Sequence, residues 1–418
     1  MNGRKPAGRR LRPSRRSERS LDWFAFFVAN LQAGFGPFVS VYLTSERWTQ
    51  TDIGLVLTIG GIVGLVLQIP GGAVVDASEQ KRTVAAWSVL LVGASALALA
   101  LSPAFPVILA AWLVHAAASS TLTPALAAIS LGLAGHGRLA RRLGRNASFG
   151  SLGNAVAAGV MGAIGYFVSN KAVFIVTAAL AAPALLALRG VVVQEIDPHA
   201  GETQAESVPP RGVAHWRAFM ANRTLYLLFL CMLLFHLANA AMLPLVGSML
   251  TLRSDESPTL LIAACIVVPQ VLVTFFSPLV GRLAQGWGRR PLLLIAFAML
   301  PLRGICFAYI QEEYFFVAVQ TLDGVSAAIV GVLVSLIVAD ATRKSGHFAL
   351  AQGVIGTGMG IGASVSTLFA GQLADRFGTA SAFLGLAAVG GLAFVVVLLA
   401  MPETKYTLPG RASRRRAR

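Results

Sequence analysis

The apolar residues of this chain fall in blocks rather than in an alternating or amphipathic rhythm. Twelve blocks, at 22–44, 53–75, 84–102, 106–133, 147–168, 172–189, 224–250, 258–280, 291–310, 314–339, 349–371 and 380–401, are each long enough for a membrane span. Such a span takes roughly 20 mostly apolar residues to cover about 30 Å of hydrocarbon. One long polar stretch, 190–223, divides the blocks six and six. The pattern predicts an all-α integral membrane protein with 12 transmembrane helices in two six-helix bundles, 21–189 and 224–403. A cytoplasmic linker at 190–223 joins them, and basic tails at 1–20 and 404–418 flank them.

Composition agrees, since 56% hydrophobic and only 12% charged residues over 418 positions leave no soluble domain of any size. The net charge of +16 would direct a soluble protein toward nucleic acid, so its placement decides the reading. With a cytoplasmic amino terminus, 29 of the 34 Lys and Arg fall on the cytoplasmic side, eight of them in 1–20 and six after residue 404. The opposite face holds Arg47, Lys171, Arg253 and Arg376, and Arg303 lies inside a span. This asymmetry puts both termini in the cytoplasm and assigns the tails to anionic lipid headgroups rather than to nucleic acid. The twin arginines before residue 20 precede a span too long for an export signal and lacking a small-residue cleavage site. Cys231, Cys265 and Cys306 all fall in spans, so no disulfide framework is implied. The expected location is the cell inner membrane, and a monomer is expected.

The two halves repeat. Pro37 to Thr44 (PFVSVYLT) matches Pro244 to Thr251 (PLVGSMLT) at an offset of 207, GGAVVD at 71–76 falls opposite VGRLAQ at 280–285, and Gly165 falls opposite Gly371. Parallel repeats about an axis along the membrane normal put a binding site near the midplane, between the halves.

After the second span the chain reads Gly72-Ala-Val-Val-Asp76-Ala-Ser-Glu-Gln-Lys81-Arg82, which resembles the signature loop of the major facilitator superfamily. That signature is a glycine, an acid four residues later, and paired basic residues five and six beyond the acid. Gly281 to Gln285 with Arg289 and Arg290 is similar to its second-half copy, and Gly371 to Gly378 to a further related turn. Ala77, Glu79 and Gln285 depart from the pattern. The resemblance covers essentially residues 20 to 403 and implies a twelve-helix transporter whose loop acid docks at the start of the eleventh helix. A helix amino terminus favours a carboxylate through its unpaired N–H groups and dipole, which points Asp76 at Phe348 to Gln352. Gly72, Asp76, Lys81, Arg82, Gly281, Arg289 and Arg290 are the gating candidates on this resemblance. Drug-proton antiporters of the superfamily place an arginine, a glutamine and a glycine where this chain has Trp112, His115 and Ala116, and a glycine-proline pair absent from 153–165. The strings FFVANLQAGFGPFVSVYLT, GHGRLARRLGRN and TLDGVSAAIVGV are similar to a poorly characterised bacterial subgroup, in which an acid is expected at the place of Asn30.

Ionised side chains at the bilayer centre cost about 2.5–3.5 kcal/mol on insertion scales, so those present face the interior and are functional candidates. Arg303 in the ninth span and Asp323 in the tenth differ in depth by about 5 Å at 1.5 Å per residue, a gap an arginine can close. Separating such a pair would leave a buried carboxylate that takes up a proton. Lactose permease and similar proton symporters use an arginine and acids or histidine on the same helices. Under the repeat, His115 falls opposite Asp323. In the resembled family the first, fourth, seventh and tenth helices line the central cavity, so the two groups are expected to face each other across it. Asp323, Arg303 and His115 are therefore the proton-coupling candidates. Asn30, Gln32, His115, His236, Asn239, Gln270, Gln320 and Asp323 are the substrate-binding candidates, with Gln68, Asn154 and Gln352 as further neutral hydrogen-bonding groups.

No Gly-x-x-x-x-Gly-Lys-Ser/Thr loop, metal-ligand cluster or nucleophile elbow occurs, so neither nucleotide-driven pumping nor enzymatic chemistry is expected, and no cofactor. The expectation is a secondary transporter of a small organic solute driven by protons, with export ahead of proton-coupled uptake of a polar metabolite. A transport-inactive membrane receptor or scaffold is the alternative from another class. The sparse internal charge points to an uncharged or amphipathic solute.

Overall fold

A computed structural model describes residues 13–35, 37–48, 50–197, 200, 222–253, 258–310, 312–343 and 347–405. Most of the two tails and linker residues 198–199 and 201–221, with Arg211, Arg217 and Lys344, lie outside the described residues. The first half comprises α1 (Arg15–Ala33), α2 (Pro37–Ser45), α3 (Gln50–Ala77), α4 (Lys81–Leu101), α5 (Phe105–Phe167), α6 (Asn170–Ala179) and α7 (Ala181–Arg189). The second comprises α8 (Arg223–Asn239), α9 (Met242–Arg253), α10 (Pro258–Gly286), α11 (Arg290–Tyr309), α12 (Glu313–Ala341), α13 (Phe348–Phe377) and α14 (Thr379–Ala400). Among the described residues, 10 helices are long and apolar enough to cross a membrane.

Three predicted blocks are each split into two helices. α1 gives way to α2 after Ala33, and α8 to α9 after Asn239, and each second helix carries a proline in its first turn, Pro37 or Pro244. Proline at the start of a helix forfeits no intrahelical donor and ends the preceding ladder. The sixth block divides at Leu180, between α6 and α7. Two other predicted blocks merge. The loop expected at 134–146 is helical, because α5 runs from Phe105 to Phe167 with one non-helical residue, Gly135 (φ 61°, ψ 166°). That positive φ suits a residue without a Cβ. Helix resumes beyond it because Arg142 and Arg145 need a fixed face from which both grip Asp22 of α1.

One end of the molecule gathers the start of α1, the end of α7, the start of α8 and the end of α14. Ser14 caps α1 and its N–H and hydroxyl both donate to Glu195, at 3.0 and 3.1 Å. Asn222 donates to the Ala341 carbonyl, and Glu403 accepts from the backbone N–H groups of Arg289 and Arg290. The far periphery is apolar and exposed, with Phe275 74%, Leu399 77% and Trp87 62% accessible. A soluble protein would bury side chains of this size, and lipid would cover them here.

The halves approach each other through glycines. A Cβ placed on Gly72 of α3 would lie 2.2 Å from the Ala349 carbonyl oxygen of α13, and one on Gly353 of α13 would lie 2.2 Å from the Gln68 carbonyl oxygen of α3. At the second contact between the halves, a Cβ on Gly281 of α10 would lie 2.4 Å from the Ala140 carbonyl oxygen of α5, and one on Gly144 of α5 would lie 2.4 Å from that of Ser277 in α10. Each residue of the first set sits 209 positions from its counterpart in the second: Gly72 and Gly281, Gly144 and Gly353, Gln68 and Ser277, Ala140 and Ala349. The repeat is thus preserved at the level of individual backbone contacts. No side chain larger than hydrogen fits at these four glycine positions.

Candidate functional site

Above this glycine seal lies a cavity of about 650 Å³ between the halves. Its walls come from α1 (Gln32), α3 (Leu57 to Gln68), the first part of α5 (Trp112 to Ala127), α12 (Val330 to Ser335) and α13 (Gln352 to Met359). The counterpart of the seventh span, α8, contributes none of these lining residues, contrary to expectation, while α3 and α13 do, because the glycine contacts draw those two helices across the interface. The lining includes Gln32, Gln68, His115, Ser119, Ser120, Thr123, Ser335 and Gln352 and, among the described residues, no charged side chain. His115 stacks on Phe35 with ring centroids 3.7 Å apart and lies 3.4 Å from the Ser119 hydroxyl. Trp112 fills the space left by Gly60.

Arg303 and Asp323 are brought together, but elsewhere. The Arg303 guanidinium of α11 donates to Asp323 of α12 and to the Asn239 side-chain oxygen of α8, and stacks over the Phe307 ring at 5.5 Å. Arg303 is 2% accessible and Asp323 23%. Neither lines the cavity, so the expected meeting of His115 and Asp323 across it is replaced by an ion pair inside the second half. The physical reason is Coulombic: in a medium of low dielectric a carboxylate is held far more strongly by an adjacent guanidinium than by a neutral imidazole. His236, one turn before Asn239, has its ring Nδ1 3.0 Å from the Met232 carbonyl oxygen.

The remaining candidates separate. Asn30 is buried and donates to the Phe26 carbonyl within α1, beside Gly153 of α5, so it serves helix packing. Asn154 of α5 is exposed and outside the cavity lining. Gln270 lies on α10 outside the cavity lining, and Gln320 of α12 is 1% accessible with neither amide atom paired. Not anticipated were Asp22, whose carboxylate is shared by Arg142 and Arg145, and the buried Arg289 to Asp340 pair at 2.9 Å. Both acids stand near block ends, where a sequence reading cannot tell a solvated loop acid from a buried partner.

In the signature loop the Asp76 carboxylate accepts from the N–H groups of Ala349 at 2.9 Å and Leu350 at 2.7 Å, in the first turn of α13. The basic residues stitch the loops to their own bundles. Lys81 donates to the Val75 and Ser78 carbonyls, Arg82 to the Val191 carbonyl, and Arg289 to Asp340 and the Ala284 carbonyl. Gln285, the counterpart of Asp76, donates to the Gly137 carbonyl at 3.2 Å.

Comparison with known proteins places these features in context. Two strains of Mycobacterium tuberculosis carry a protein described as an uncharacterized MFS-type transporter that is 40% identical over 392 residues, covering 93% of this chain and 94% of the relative. The multi-drug resistance efflux pump PmrA of Streptococcus pneumoniae is 28% identical over 134 residues, 32% of each chain. Among solved structures, the human organic anion transporter MFSD10 superposes with a TM-score of 0.70 at 15% identity, covering 92% of this chain and 99% of that one. The Escherichia coli fucose:proton symporter FucP gives 0.72 at 14% identity, covering 92% and 98%. The family model for the Major Facilitator Superfamily matches residues 23–311 and 259–418. This chain is a multi-pass membrane protein of the major facilitator superfamily.

Proposed function

We propose that the protein is a proton-coupled secondary transporter that exports a small organic solute across a bacterial inner membrane by alternating access. The observation that carries the reading is the Arg303, Asp323 and Asn239 cluster, an ion pair deep in the apolar blocks with a partly accessible carboxylate. The guanidinium is the carboxylate's counterion. When a rearrangement of α11 against α12 parts them, the carboxylate sits in a low-dielectric environment without a counterion and is more stable protonated. Proton uptake and release are then tied to the conformational cycle. The glycine seal and the Asp76 contact supply a gate at the end that holds the start of α1 and the end of α14, with the cavity above it as the solute chamber. Export is supported by the 28% match to the efflux pump. Uptake of a polar metabolite by symport is the second reading, favoured by the placement of the ion pair on α11 and α12.

Proton movement in proteoliposomes carrying a pH dye, challenged with a broad solute panel, tests the proposal. Solute-triggered proton flux in the wild type and its loss in Asp323→Asn are expected, and the direction of the pH change separates antiport from symport. Coupling that survives Asp323→Asn would make the pair structural. Silence toward every solute would favour the receptor reading.

A further inference from the structure

The residues at the floor of the cavity include three, each with a buried side-chain polar atom that nothing among the described residues satisfies. Gln68 Oε1 of α3, Gln352 Nε2 of α13 and His115 Nδ1 of α5 are all buried and unpaired, and all three residues line the same cavity. Buried polar atoms are nearly always hydrogen-bonded, so a group of three around one chamber marks a place where a partner belongs. The two amides come from opposite halves. The Gln68 side chain crosses the interface, its oxygen lying 2.6 Å from where a Cβ on Gly356 would stand, and the Gln68 carbonyl is the one that meets Gly353 in the seal. Gln352 lies two residues beyond Leu350, whose N–H holds Asp76.

We infer that this floor is a neutral solute subsite, in which Gln68 accepts from and Gln352 donates to one uncharged polar group of the carboxamide or lactam type, with the aromatic part of the solute against Trp112 and His115. A carboxamide or lactam offers both an N–H donor and a carbonyl acceptor, the complement of what the glutamines leave open. A charged solute is disfavoured because the wall has no counterion, and a desolvated charge without one is costly. Arg303 does not compensate, being outside the lining and held by Asp323. Since Gln68 and Gln352 flank the backbone contact that closes the seal, a solute wedged between them bears directly on closure. The inference deepens the transport reading and rests on it only for the identity of the chamber.

Binding to the purified full chain in detergent at one fixed pH tests it, with no proton gradient involved, so failure of proton coupling leaves the outcome untouched. The probes are the neutral N-acetylphenylalaninamide, the anionic N-acetylphenylalanine and the cationic phenylalaninamide at pH 6, followed by thermal shift and by quenching of Trp112 fluorescence against a Trp112→Phe control. The neutral amide is expected to bind at least about tenfold more tightly than either charged analogue, a difference of about 1.4 kcal/mol. Gln352→Lys should transfer the preference to the anion and Gln68→Glu to the cation, gains that a misfolded variant cannot imitate. Equal or tighter binding of a charged analogue in the wild type, no binding of any of the three at millimolar concentration, or unchanged preferences in both variants would overturn the assignment.

Discussion

The two crossings between the halves, α3 with α13 and α10 with α5, share their sterics and differ in their electrostatics. Both bring a glycine against a backbone carbonyl twice, at positions 209 apart. Only the first adds a carboxylate, Asp76, on free N–H groups of a helix start; the second has Gln285 donating to the Gly137 carbonyl. The receiving helices explain the difference. α13 begins at Phe348, so Ala349 and Leu350 stand in its first turn, where backbone N–H groups have no intrahelical acceptor. In α5 the helix resumes just after Gly135, so the counterpart positions Ala140 and Arg141 lie deeper, with their N–H groups already committed. A carboxylate at 285 would find no free backbone donor at those two positions, and a neutral amide that donates to the Gly137 carbonyl is the observed choice. Duplication kept the close contact, and the start of the helix decided where a charge is useful.

This contrast can be broken most severely at the glycines. Gly72→Ala and Gly281→Ala should be equally damaging, each forcing a methyl group onto a backbone carbonyl at a cost of about 1–3 kcal/mol to the sealed state. A Ser119→Cys reporter in the cavity, alkylated from the termini side in a background without the native cysteines, should then react up to about 100-fold faster. Unequal effects would show that the pseudo-symmetry is not functional. Asp76→Asn comes next, removing charge from two hydrogen bonds worth about 1.5–3 kcal/mol each in charged form, and should raise the same alkylation rate about tenfold. The smallest effect is expected at Gln285, where Leu replaces one neutral hydrogen bond worth about 0.5–1.5 kcal/mol. Gln285→Asp should weaken the seal rather than strengthen it; slower alkylation in that variant would mean that α5 offers free donors after all.

The Asp76 contact was expected from the resemblance of its loop to the family signature, with the unpaired N–H groups of a helix start as the physical reason. Arg303 and Asp323 could be matched because charges inside apolar blocks are so few that little competes for either. Their relation to the cavity could not be read, since the repeat aligns His115 with Asp323 without saying which way each helix faces. The helical stretch 136–146 was hidden for a similar reason: its arginines look like a solvated loop until Asp22 is seen between two of them.

By itself the sequence determined the membrane class and the internal ionisable residues, because block length and charge placement are properties of the chain read in one dimension, and the family through the resemblance its signature loop carries. The tertiary structure alone decided which of the 42 glycines form the seal, which polar groups surround the cavity, and that its lining carries no charge. Those outcomes depend on how helices far apart in sequence rotate and approach one another, and a side chain's partner in a low-dielectric interior is set by that approach rather than by its neighbours along the chain.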